Sequence, residues 1–471
     1  TFIGYRAGYT NSTSYNVFLG FECGYSNSTG NPNVFIGYQA GRANNTGTNN
    51  IYIGNQAGYS NTVGDSSIYI GNRSGFSNTK GNTNVFMGNR AGFTNTIGFS
   101  NVFIGYQAGY LNVGGDYNTF MGYQAGFSND SSYNSFIGYK SGYSNQTGKF
   151  NTFIGYKSGY LNVNGDYNSY IGYNAGAQNT GIHNVYLGPT AGSIGTTGSY
   201  NVYVGMGTGQ LATGSSNSFI GIGAGYKTKG SDNSFFGSQS GIGNRNGSQN
   251  VFIGHRAGNE NIDASDNVFI GTFAGYSNKD GAQNVYLGTN AGYSNAIGNK
   301  NIFIGDHAGE NAFVSGKLII DNSNTSAPLI YGDFDADYLT INGTFNTTGS
   351  ATINNTWVGA QSIEINAAGS GDRDAFIDFH SDNTHADFGF RIARWPGANG
   401  QANIYQVGAG PLGIITMNAA PINFYTSNLH RMTITPSGYV GIGTATPGAY
   451  NLYVNGTTWS TGGWGGSDLR W

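Results

Sequence analysis

A short run of alternating apolar side chains, bounded by asparagine and glycine, recurs along the first two thirds of the chain. In one copy, NVFIGYQAG, the run is Val102, Phe103 and Ile104 between Asn101 and Gly105. Successive side chains of a strand point to opposite faces, so Phe103 faces one side and its two neighbours face the other. The pattern predicts one short β-strand in each copy.

The spacing of the copies indicates the architecture. Aligned on the glycine that ends each strand, 19 copies run from Gly4 to Gly305 at intervals of 16 or 17 residues. A unit this short cannot hold a helix pair or a propeller blade, which need about 34 residues or more. We therefore expect an all-β fold in which residues 1–316 form a β-solenoid rod of 19 coils. At about 4.8 Å per coil the rod would be about 90 Å long.

Both faces of the predicted strand are apolar. A thin coil can bury only one face inside itself, so the other must be covered by another chain or another sheet. The sequence therefore predicts an oligomer.

Each copy also repeats two glycines and an asparagine. Gly105 and Gly109, and in the next copy Gly122 and Gly126, suit a corner with positive φ or close backbone approach. Asparagine precedes the strand in 17 of the 18 copies that include this position, with Ser67 as the exception. We expect the asparagine amides to stack from coil to coil, as Asn101 on Asn118, with Ser67 a weak rung.

The segments between the strands are polar and rich in turn residues, which predicts loops that face solvent. Several carry the Asn-x-Ser/Thr pattern of a glycosylation acceptor, and we interpret these as ordinary turns. Aromatic residues often follow the second glycine. We interpret them as packing between coils or chains, with an exposed sugar-binding stripe as the alternative. They are Tyr9, Tyr25, Tyr59, Phe76, Phe93, Tyr110, Phe127, Tyr143 and Tyr160.

Composition narrows the function classes. The chain has 80 glycines and many aromatic residues but only 9% charged residues, which excludes long helices and a disordered chain. The net charge of −3 shows no basic stripe of the kind that neutralises nucleic-acid phosphates. No apolar run is long enough to span a membrane. The single cysteine, Cys23, is expected to be a small buried filler. Since the chain opens on Thr1 inside a repeat, we expect its natural N-terminus to lie upstream.

The pattern changes after Gly316. Residues 317–358 contain short β-like runs separated by turn residues, which predicts a β-rich neck or connector. Residues 359–466 contain longer and less regular β-like runs, which predict a compact C-terminal β-domain. Such a domain could carry a binding surface.

The repeat resembles the left-handed β-roll head of trimeric autotransporter adhesins of the YadA type, whose coils carry an Asn-Ser-Val-Ala-Ile-Gly phrase. NSFIG at residues 217–221 and NSFFG at residues 233–237 come closest, with an aromatic residue in place of the alanine. The resemblance implies a left-handed roll and a homotrimer.

The C-terminal segment, from RMTITPSGYVGIGT to GSDLRW, looks like the junction in phage tail fibres that leads into a self-cleaving intramolecular chaperone. Those chaperones begin with a Ser-Asp-x-Arg phrase, here Ser467, Asp468 and Arg470 in residues 467–471. The resemblance implies assembly as a trimer with a chaperone whose catalytic lysine would follow Trp471, and a possible cut before Ser467.

Acidic residues suggest two metal sites, and neither is favoured. Asp372, Asp374, Asp378, His380, Asp382, His385 and Asp387 cluster in sequence, but solvated strand and loop faces explain them better. DFDADY, residues 333–338, begins like a calcium loop but lacks its glycine and distal glutamate, so we interpret it as a turn. We expect no metal and no cofactor, and we expect chelators to leave the rod intact.

Together these patterns predict an elongated homotrimeric fibre, extracellular, on a cell surface or on a virion tail. Its predicted role is structural and adhesive, with a cell-surface glycan or protein as receptor and no catalytic residues. The alternative is a polysaccharide-degrading tail spike, which would use paired carboxylates.

Overall fold

The computed structural model describes residues 1–195, 197–345, 375–379, 390–395, 401–407, 410–416, 419–449, 451–455 and 468–470. The chain divides into two compact units, Thr1–Thr348 and Gly349–Trp471. Every regular element in the described residues is a β-strand, and none is a helix. The prediction of an all-β fold is confirmed.

The first unit is a β-solenoid with one short strand per coil, as predicted. Nineteen strands define its coils, and three further strands continue the sheet. The coil strands are β1 (Phe2–Ile3), β2 (Val17–Leu19), β3 (Val34–Ile36), β4 (Ile51–Ile53), β5 (Ile68–Ile70), β6 (Val85–Met87), β7 (Val102–Ile104), β8 (Thr119–Met121), β9 (Ser135–Ile137), β10 (Thr152–Ile154), β11 (Ser169–Ile171), β12 (Val185–Leu187), β13 (Val202–Val204), β14 (Ser218–Ile220), β15 (Ser234–Phe236), β16 (Val251–Ile253), β17 (Val268–Ile270), β18 (Val285–Leu287) and β19 (Ile302–Ile304).

The coil strands pair in parallel and in exact repeat register. Phe103 lies opposite Phe120, and Val102 lies opposite Thr119. β20 (Lys317–Ile320) continues the parallel sheet beyond β19. β21 (Ile330–Asp333) and β22 (Tyr338–Ile341) then pair antiparallel at that end of the sheet. Part of the predicted connector thus extends the solenoid sheet.

The core of the solenoid is a column of stacked rings, one from the middle of each strand, which we name the core aromatic ladder. Adjacent ring centroids are 4.8 Å apart at Phe86, Phe103 and Phe120, and from Phe18 to Phe303 the rings are completely buried or nearly so. A small residue such as Ala108 fills the remaining space beside each ring. The ladder comprises Phe2, Phe18, Phe35, Tyr52, Tyr69, Phe86, Phe103, Phe120, Phe136, Phe153, Tyr170, Tyr186, Tyr203, Phe219, Phe235, Phe252, Phe269, Tyr286 and Phe303.

The two glycines of a coil meet different neighbours at the corner. Gly105 has φ +138°, and a Cβ there would lie 2.3 Å from the carbonyl oxygen of Gly122 in the next coil. Gly109 has φ +60°, and a Cβ there would lie 2.5 Å from the ring of Phe103. The backbone of one coil therefore touches the backbone of the next at Gly105, and it touches its own core ring at Gly109.

A ladder of asparagines precedes the strands, as predicted, but its bonds differ from simple amide stacking. Asn101 Oδ1 accepts the backbone N–H of Asn118 in the next coil at 2.9 Å. Asn101 Nδ2 donates to the carbonyl of Gly115 at 2.8 Å. The amide thus joins successive coils and closes its own coil. At Ser67 the hydroxyl accepts the N–H of Asn84 at 3.2 Å, but it is too short to reach the equivalent carbonyl.

A second asparagine ladder corrects the prediction that the segments between strands face solvent. These loop asparagines stand three residues after the second glycine of a coil, and amide-to-amide bonds join them, as from Asn78 to Asn95 and on to Asn112. Asn27, Asn44, Asn129 and Asn145, which carry the glycosylation pattern, belong to this ladder and are completely buried. Because these side chains are buried, their amides are inaccessible to glycosylation once the coil has folded.

The second unit contains two small sheets in its described residues. β23 (Ala375–Phe379), β24 (Phe390–Arg394) and β25 (Ala402–Gln406) pair antiparallel. The other sheet comprises β26 (Ile422–Thr426), β27 (Leu429–Ile434), β28 (Val440–Ile442), β29 (Leu452–Asn455) and β30 (Asp468–Arg470). Only β28 and β29 are parallel neighbours in that sheet.

Candidate functional site

One row of the outer face of the solenoid sheet is apolar along its whole length, whereas the other outward position is Val or Ile in most coils and Ser or Thr in the rest. In every coil the core ring points inward, so the strand residues on either side of it point outward. Ile104 is half-buried, and Leu187 exposes 45% of its surface. We name the residues that directly precede the strand-ending glycine the outer strand row. They are Ile3, Leu19, Ile36, Ile53, Ile70, Met87, Ile104, Met121, Ile137, Ile154, Ile171, Leu187, Val204, Ile220, Phe236, Ile253, Ile270, Leu287 and Ile304.

A second feature is the corner aromatic row, the set of rings that follow the second glycine from Tyr9 to Tyr160. Phe93, Tyr110 and Phe127 stack with centroids 5.1 Å apart, and these rings are half-buried. The interpretation that these rings pack between coils is confirmed. Where the ring is replaced by Arg42, the guanidinium carbon lies 5.2 Å from the centroid of Tyr25 and 5.8 Å from that of Tyr59, so the column continues through a cation.

The stacking decides what the corner aromatic row can bind. A sugar ring needs the flat face of an aromatic ring, and inside the row each face is covered by the next ring. Only ring edges meet solvent there. The hypothesis of a sugar-stacking stripe therefore does not hold for the interior of the row, and a free face requires an interruption in it.

Beside the corner aromatic row runs a line of polar side chains that bond from coil to coil. Gln56 Nε2 donates to Gln39 at 3.0 Å, and Gln39 Nε2 donates to Glu22 at 3.0 Å. Arg42 forms an ion pair with Glu22 at 2.9 Å, and this hydrogen bond is the main cause that lowers the pKa of the Glu22 carboxyl. Arg73 Nε continues the line by donating to Gln56 at 3.0 Å. The line is a continuous polar stripe built from mutually bonded groups.

Two further aromatic columns lie on the exposed surface of the coils. Tyr106 stacks on Tyr123 at 5.1 Å, just after the strand-ending glycine. Tyr117 stacks on Tyr133 at 5.2 Å, just before the strand asparagine. All four side chains are exposed. Aromatic stacking thus occurs on the surface as well as in the core.

The repeat residues singled out in the sequence form one structural unit in the coil. Asn101 and Asn118 are buried in the asparagine ladder, and Phe103 is buried in the core aromatic ladder. Ile104 lies in the outer strand row. Gly122 and Gly126 repeat the geometry of the preceding corner, with φ +140° and +58°. These residues build the rod through packing and through the hydrogen bonds of the asparagine ladder.

The structure supports the interpretation of residues 333–338 as a turn. Asp333 Oδ1 accepts the N–H groups of Asp335 and Ala336 at 3.0 and 3.1 Å. Lys317 Nζ lies 2.9 Å from the Asp333 carboxylate, and its hydrogen bond lowers the pKa of that carboxyl. The carboxylate that would lead a calcium loop is therefore engaged by a lysine.

The other acidic candidates lie largely outside the described residues. Of the cluster from Asp372 to Asp387, only Asp378 falls on a described strand, β23, and the other members of the cluster lie outside. Over the described part of the chain, His, Cys, Asp and Glu form no group of three that could hold a metal ion.

The predicted chaperone junction is described only in part. Ser467 lies outside the described residues, whereas Asp468 and Arg470 lie on β30, opposite Asn455 and Tyr453 of β29. The backbone of the junction therefore belongs to a sheet of the second unit.

Cys23 is buried beside the core aromatic ladder, as predicted for a small filler. Its Sγ donates to the carbonyl of Phe35 at 3.0 Å, where Ser74 makes the same bond to Phe86 at 2.8 Å. Burial raises the pKa of the Cys23 thiol to about 12. The thiol therefore stays protonated and is a poor nucleophile.

Sequence reasoning missed the loop asparagines, although their signal is visible in the sequence. Asn95, Asn112 and Asn129 recur at the coil period, three residues after the second glycine. A periodic polar residue indicates a bonded core position, whereas solvent-facing turns tolerate variation.

The described residues contain no helix long and apolar enough to cross a membrane. The chain matches no protein-family model, no curated protein and no solved structure.

Proposed function

We propose that the chain is the subunit of a homotrimeric attachment fibre, with a left-handed solenoid as its rod. The observation that carries this proposal is the exposed outer strand row, which is apolar in every coil from Ile3 to Ile304. Water contact along such a row is unfavourable, and burial against identical rows of other copies removes it.

The size of the row supports assembly. At about 4.8 Å per strand it extends on the order of 90 Å. The largest exposed apolar patches on typical monomeric proteins cover only about 300–600 Å², and they are often functional. The outer strand row runs without a polar interruption through all 19 coils, from Ile3 to Ile304. Three copies that turn these rows toward a common axis would bury them together.

The resemblance to the YadA-type roll favours three copies and the left hand. Its short phrase places apolar side chains on both sides of an inward one, as Val102 and Ile104 flank Phe103. The tail-fibre-like junction around Asp468 and Arg470 also favours a trimer, since such junctions lead into trimeric chaperones. The proposed fibre needs no cofactor.

The proposed role in attachment follows from this architecture. A long rod built from stacked coils sets a distance, and the all-β region that follows it offers surfaces for a receptor. We propose that residues 317–466 bind a glycan or protein on a cell surface, with the fibre on a virion tail or a cell exterior. Fold-level analogy supplies this role, so it depends on direct binding tests.

Solution mass tests the assembly. Light scattering of the purified chain should give three times the subunit mass of 49.6 kDa, and electron microscopy should show a thin rod. A single-chain mass at micromolar concentration would contradict the proposal.

Binding and turnover on a glycan array test the role. Retention of residues 317–466 on particular glycans would support attachment. Release of soluble oligosaccharide from those glycans would favour the polysaccharide-degrading alternative. Retention by the rod residues 1–316 alone would place the receptor site elsewhere on the chain.

A further inference from the structure

The corner aromatic row is interrupted in the second half of the solenoid. The residues that follow the second glycine after Tyr160 are Ala177, Ser193 and Gln210, and then Tyr226 and Ile242. Tyr226 stacks on no other ring within the described residues, and it is half-buried. The neighbour over the Tyr226 ring is instead the ammonium of Lys227, with Nζ 5.8 Å from the ring centroid.

A groove of about 590 Å³ opens at this interruption, across the coils of β14 to β17. Tyr226 and Lys227 line one end of it. Ile242 and Ile262 form apolar parts of its wall, and Gly243 also lines it. A groove of this volume lies in the range of small-ligand sites, which commonly combine apolar walls with a few polar groups.

Cations converge on the groove from successive coils. Arg245, Ile262 and Lys279 line the groove and each follows the loop asparagine of its coil. Lys229 holds the same position one coil earlier, after Thr228, and lies outside the lining. Their backbones bond in sequence, from Lys229 N–H to Arg245 O at 2.6 Å and from Arg245 N–H to Ile262 O at 3.0 Å. Lys229 and Arg245 are thus held about one strand spacing apart, near 4.8 Å at the backbone. Equivalent positions in the earlier coils, from Ser12 to Thr180, carry no cation.

These cations have no acidic partner in the structure. Lys227, Arg245 and Lys279 are exposed, and none forms an ion pair within the described residues. The acids nearby on the packed coils include Glu260, which lines the groove, and Asp263, which accepts a hydrogen bond from Asn246 at 2.6 Å. Asp280 directly follows Lys279 in the chain. Backbone bonding fixes the spacing of like charges, so an anion between them would relieve their repulsion.

We propose that this groove, lined by Tyr226, Lys227, Arg245, Glu260 and Lys279, binds a short acidic oligosaccharide. The cations bind its carboxylates, since charge-assisted hydrogen bonds from Arg and Lys are strong. The Tyr226 ring, over which Lys227 Nζ lies 5.8 Å from the centroid, and the side chain of Ile242 pack against a sugar ring. Glu260 accepts hydrogen bonds from sugar hydroxyls. A set of cations, a carboxylate and a ring that no other ring covers, all in one groove, match a charged sugar better than a simple anion.

This site goes beyond the proposed attachment function, for which residues 317–466 supply the receptor surface. A role for the groove as a receptor site on the side of the fibre rests on the proposed attachment function. Binding of the oligosaccharide itself does not rest on it. Isothermal titration measures ligand binding without regard to the oligomeric state. A chain that binds the ligand but does not form a trimer would therefore refute only the fibre proposal.

The test is isothermal titration of the full chain with trigalacturonate. The methyl ester of trigalacturonate is the uncharged control ligand, and inorganic phosphate is the control for a simple anion. We expect trigalacturonate to bind with a dissociation constant below about 1 mM at low salt. The methyl ester should bind at least about tenfold more weakly, because it keeps the rings and loses the charges.

Variants assign the binding to the groove. The double variant Arg245→Gln/Lys279→Gln should weaken trigalacturonate binding about tenfold, and Tyr226→Ala should weaken it about fivefold. The control Lys149→Gln/Lys300→Gln removes the same charge from exposed loop positions of other coils and should bind as the natural chain does. Unchanged thermal melting shows that each variant is folded.

Three results would overturn the proposal. The first is no binding of trigalacturonate at millimolar concentration. The second is equal weakening in the groove variant and the control variant, which would indicate only a general charge effect. The third is phosphate binding as tight as trigalacturonate binding, which would indicate an anion site without sugar recognition.

Discussion

At the residue scale, glycine and asparagine hold the coil together by distinct contacts. Gly105 allows one backbone to approach the next coil, and Gly109 allows the chain to lie on its own core ring. Asn101 joins two coils through a single amide. A larger side chain could not make the glycine contacts, and an apolar side chain could not make the asparagine hydrogen bonds. These residue types therefore recur in nearly every coil of the chain.

Gly109→Ala should destabilise the rod by about 3 kcal/mol. The new Cβ would press against Phe103 in a left-handed backbone conformation, which adds steric strain to conformational cost. Gly114→Ala is the matched control, since a Cβ there would lie 3.5 Å from Ile97 in ordinary contact. Denaturant unfolding measures both, and equal effects would refute the assigned role of Gly109.

Ser67→Asn should stabilise the rod by about 1 kcal/mol. The longer side chain would restore the donor to the carbonyl of Gly81 while still accepting from Asn84, as Asn101 does in its own coil. The reverse change, Asn101→Ser, should cost a similar amount. Thermal melting of the two variants is the measurement, and a loss of stability in Ser67→Asn would contradict the assignment.

Tyr170→Phe should cost about 1 kcal/mol more than Tyr203→Phe. The Tyr170 hydroxyl donates to Asn179 at 3.0 Å, whereas the buried Tyr203 hydroxyl completes no hydrogen bond with a described residue, although the Asn217 side chain lies near it. Both changes leave the ring in place. Denaturant unfolding of the two variants measures the loss of stability in each. Equal losses would mean that the Tyr203 hydroxyl forms a hydrogen bond in solution.

At the element scale, the core aromatic ladder couples each coil to its two neighbours. Phe103 touches the rings of Phe86 and Phe120, so a coil without neighbours would expose both faces of its ring. Stability in such repeat proteins is approximately a sum of coil and interface contributions. Each added coil therefore adds a stacking interface, so the stability of the rod increases with the number of coils.

Alkaline pH should destabilise the rod through six tyrosines of this ladder. Burial raises the pKa of each well above its usual value of about 10. Below pH 10 both the folded and the unfolded chain keep these protons. Above pH 10 only the unfolded chain loses them, so the stability present at lower pH is lost as pH rises. The six residues are Tyr52, Tyr69, Tyr170, Tyr186, Tyr203 and Tyr286.

The expected slope follows from linkage. Each tyrosine contributes about 1.4 kcal/mol per pH unit above pH 10, or on the order of 8 kcal/mol per unit for six. Unfolding at pH 9 to 12 measures the slope, and Tyr186→Phe should reduce it by one tyrosine's share. A flat profile through pH 11.5 would show that the core rings are open to solvent.

At the scale of the whole molecule, the outer strand row decides the oligomeric state. Leu187→Lys should dissociate the proposed trimer, because it would bury a lysine charge between copies. The single coil should remain folded, since Leu187 points outward and is 45% exposed. Leu161→Lys is the matched control, with 42% exposure at a corner away from that row. Light scattering reads both masses, and a Leu187→Lys chain with the natural mass would contradict the assembly.

The sequence predicted the coil more accurately than the loops. The strand positions, the alternation of the ring with its neighbours and the corner glycines all follow from a strict period, and the structure shows them. Only the structure shows that the ring is the side chain that faces inward. The loops were expected to face solvent because Asn, Ser and Thr are common in turns. Loop asparagines such as Asn112 are buried instead, because a narrow coil must satisfy its inward carbonyls and amides from within.

The sequence by itself determined the period, the parallel in-register sheet and the separation of ring from outer row, because these depend on repeat spacing and on strand alternation. Tertiary structure alone decided which polar residues lie inside and which rings stack on other rings. Stacking brings residues 16 or 17 positions apart into contact, and it covers the faces of Tyr110 while leaving Tyr226 without a ring neighbour. Burial and ring stacking are properties of neighbouring coils, so no single copy of the repeat contains them.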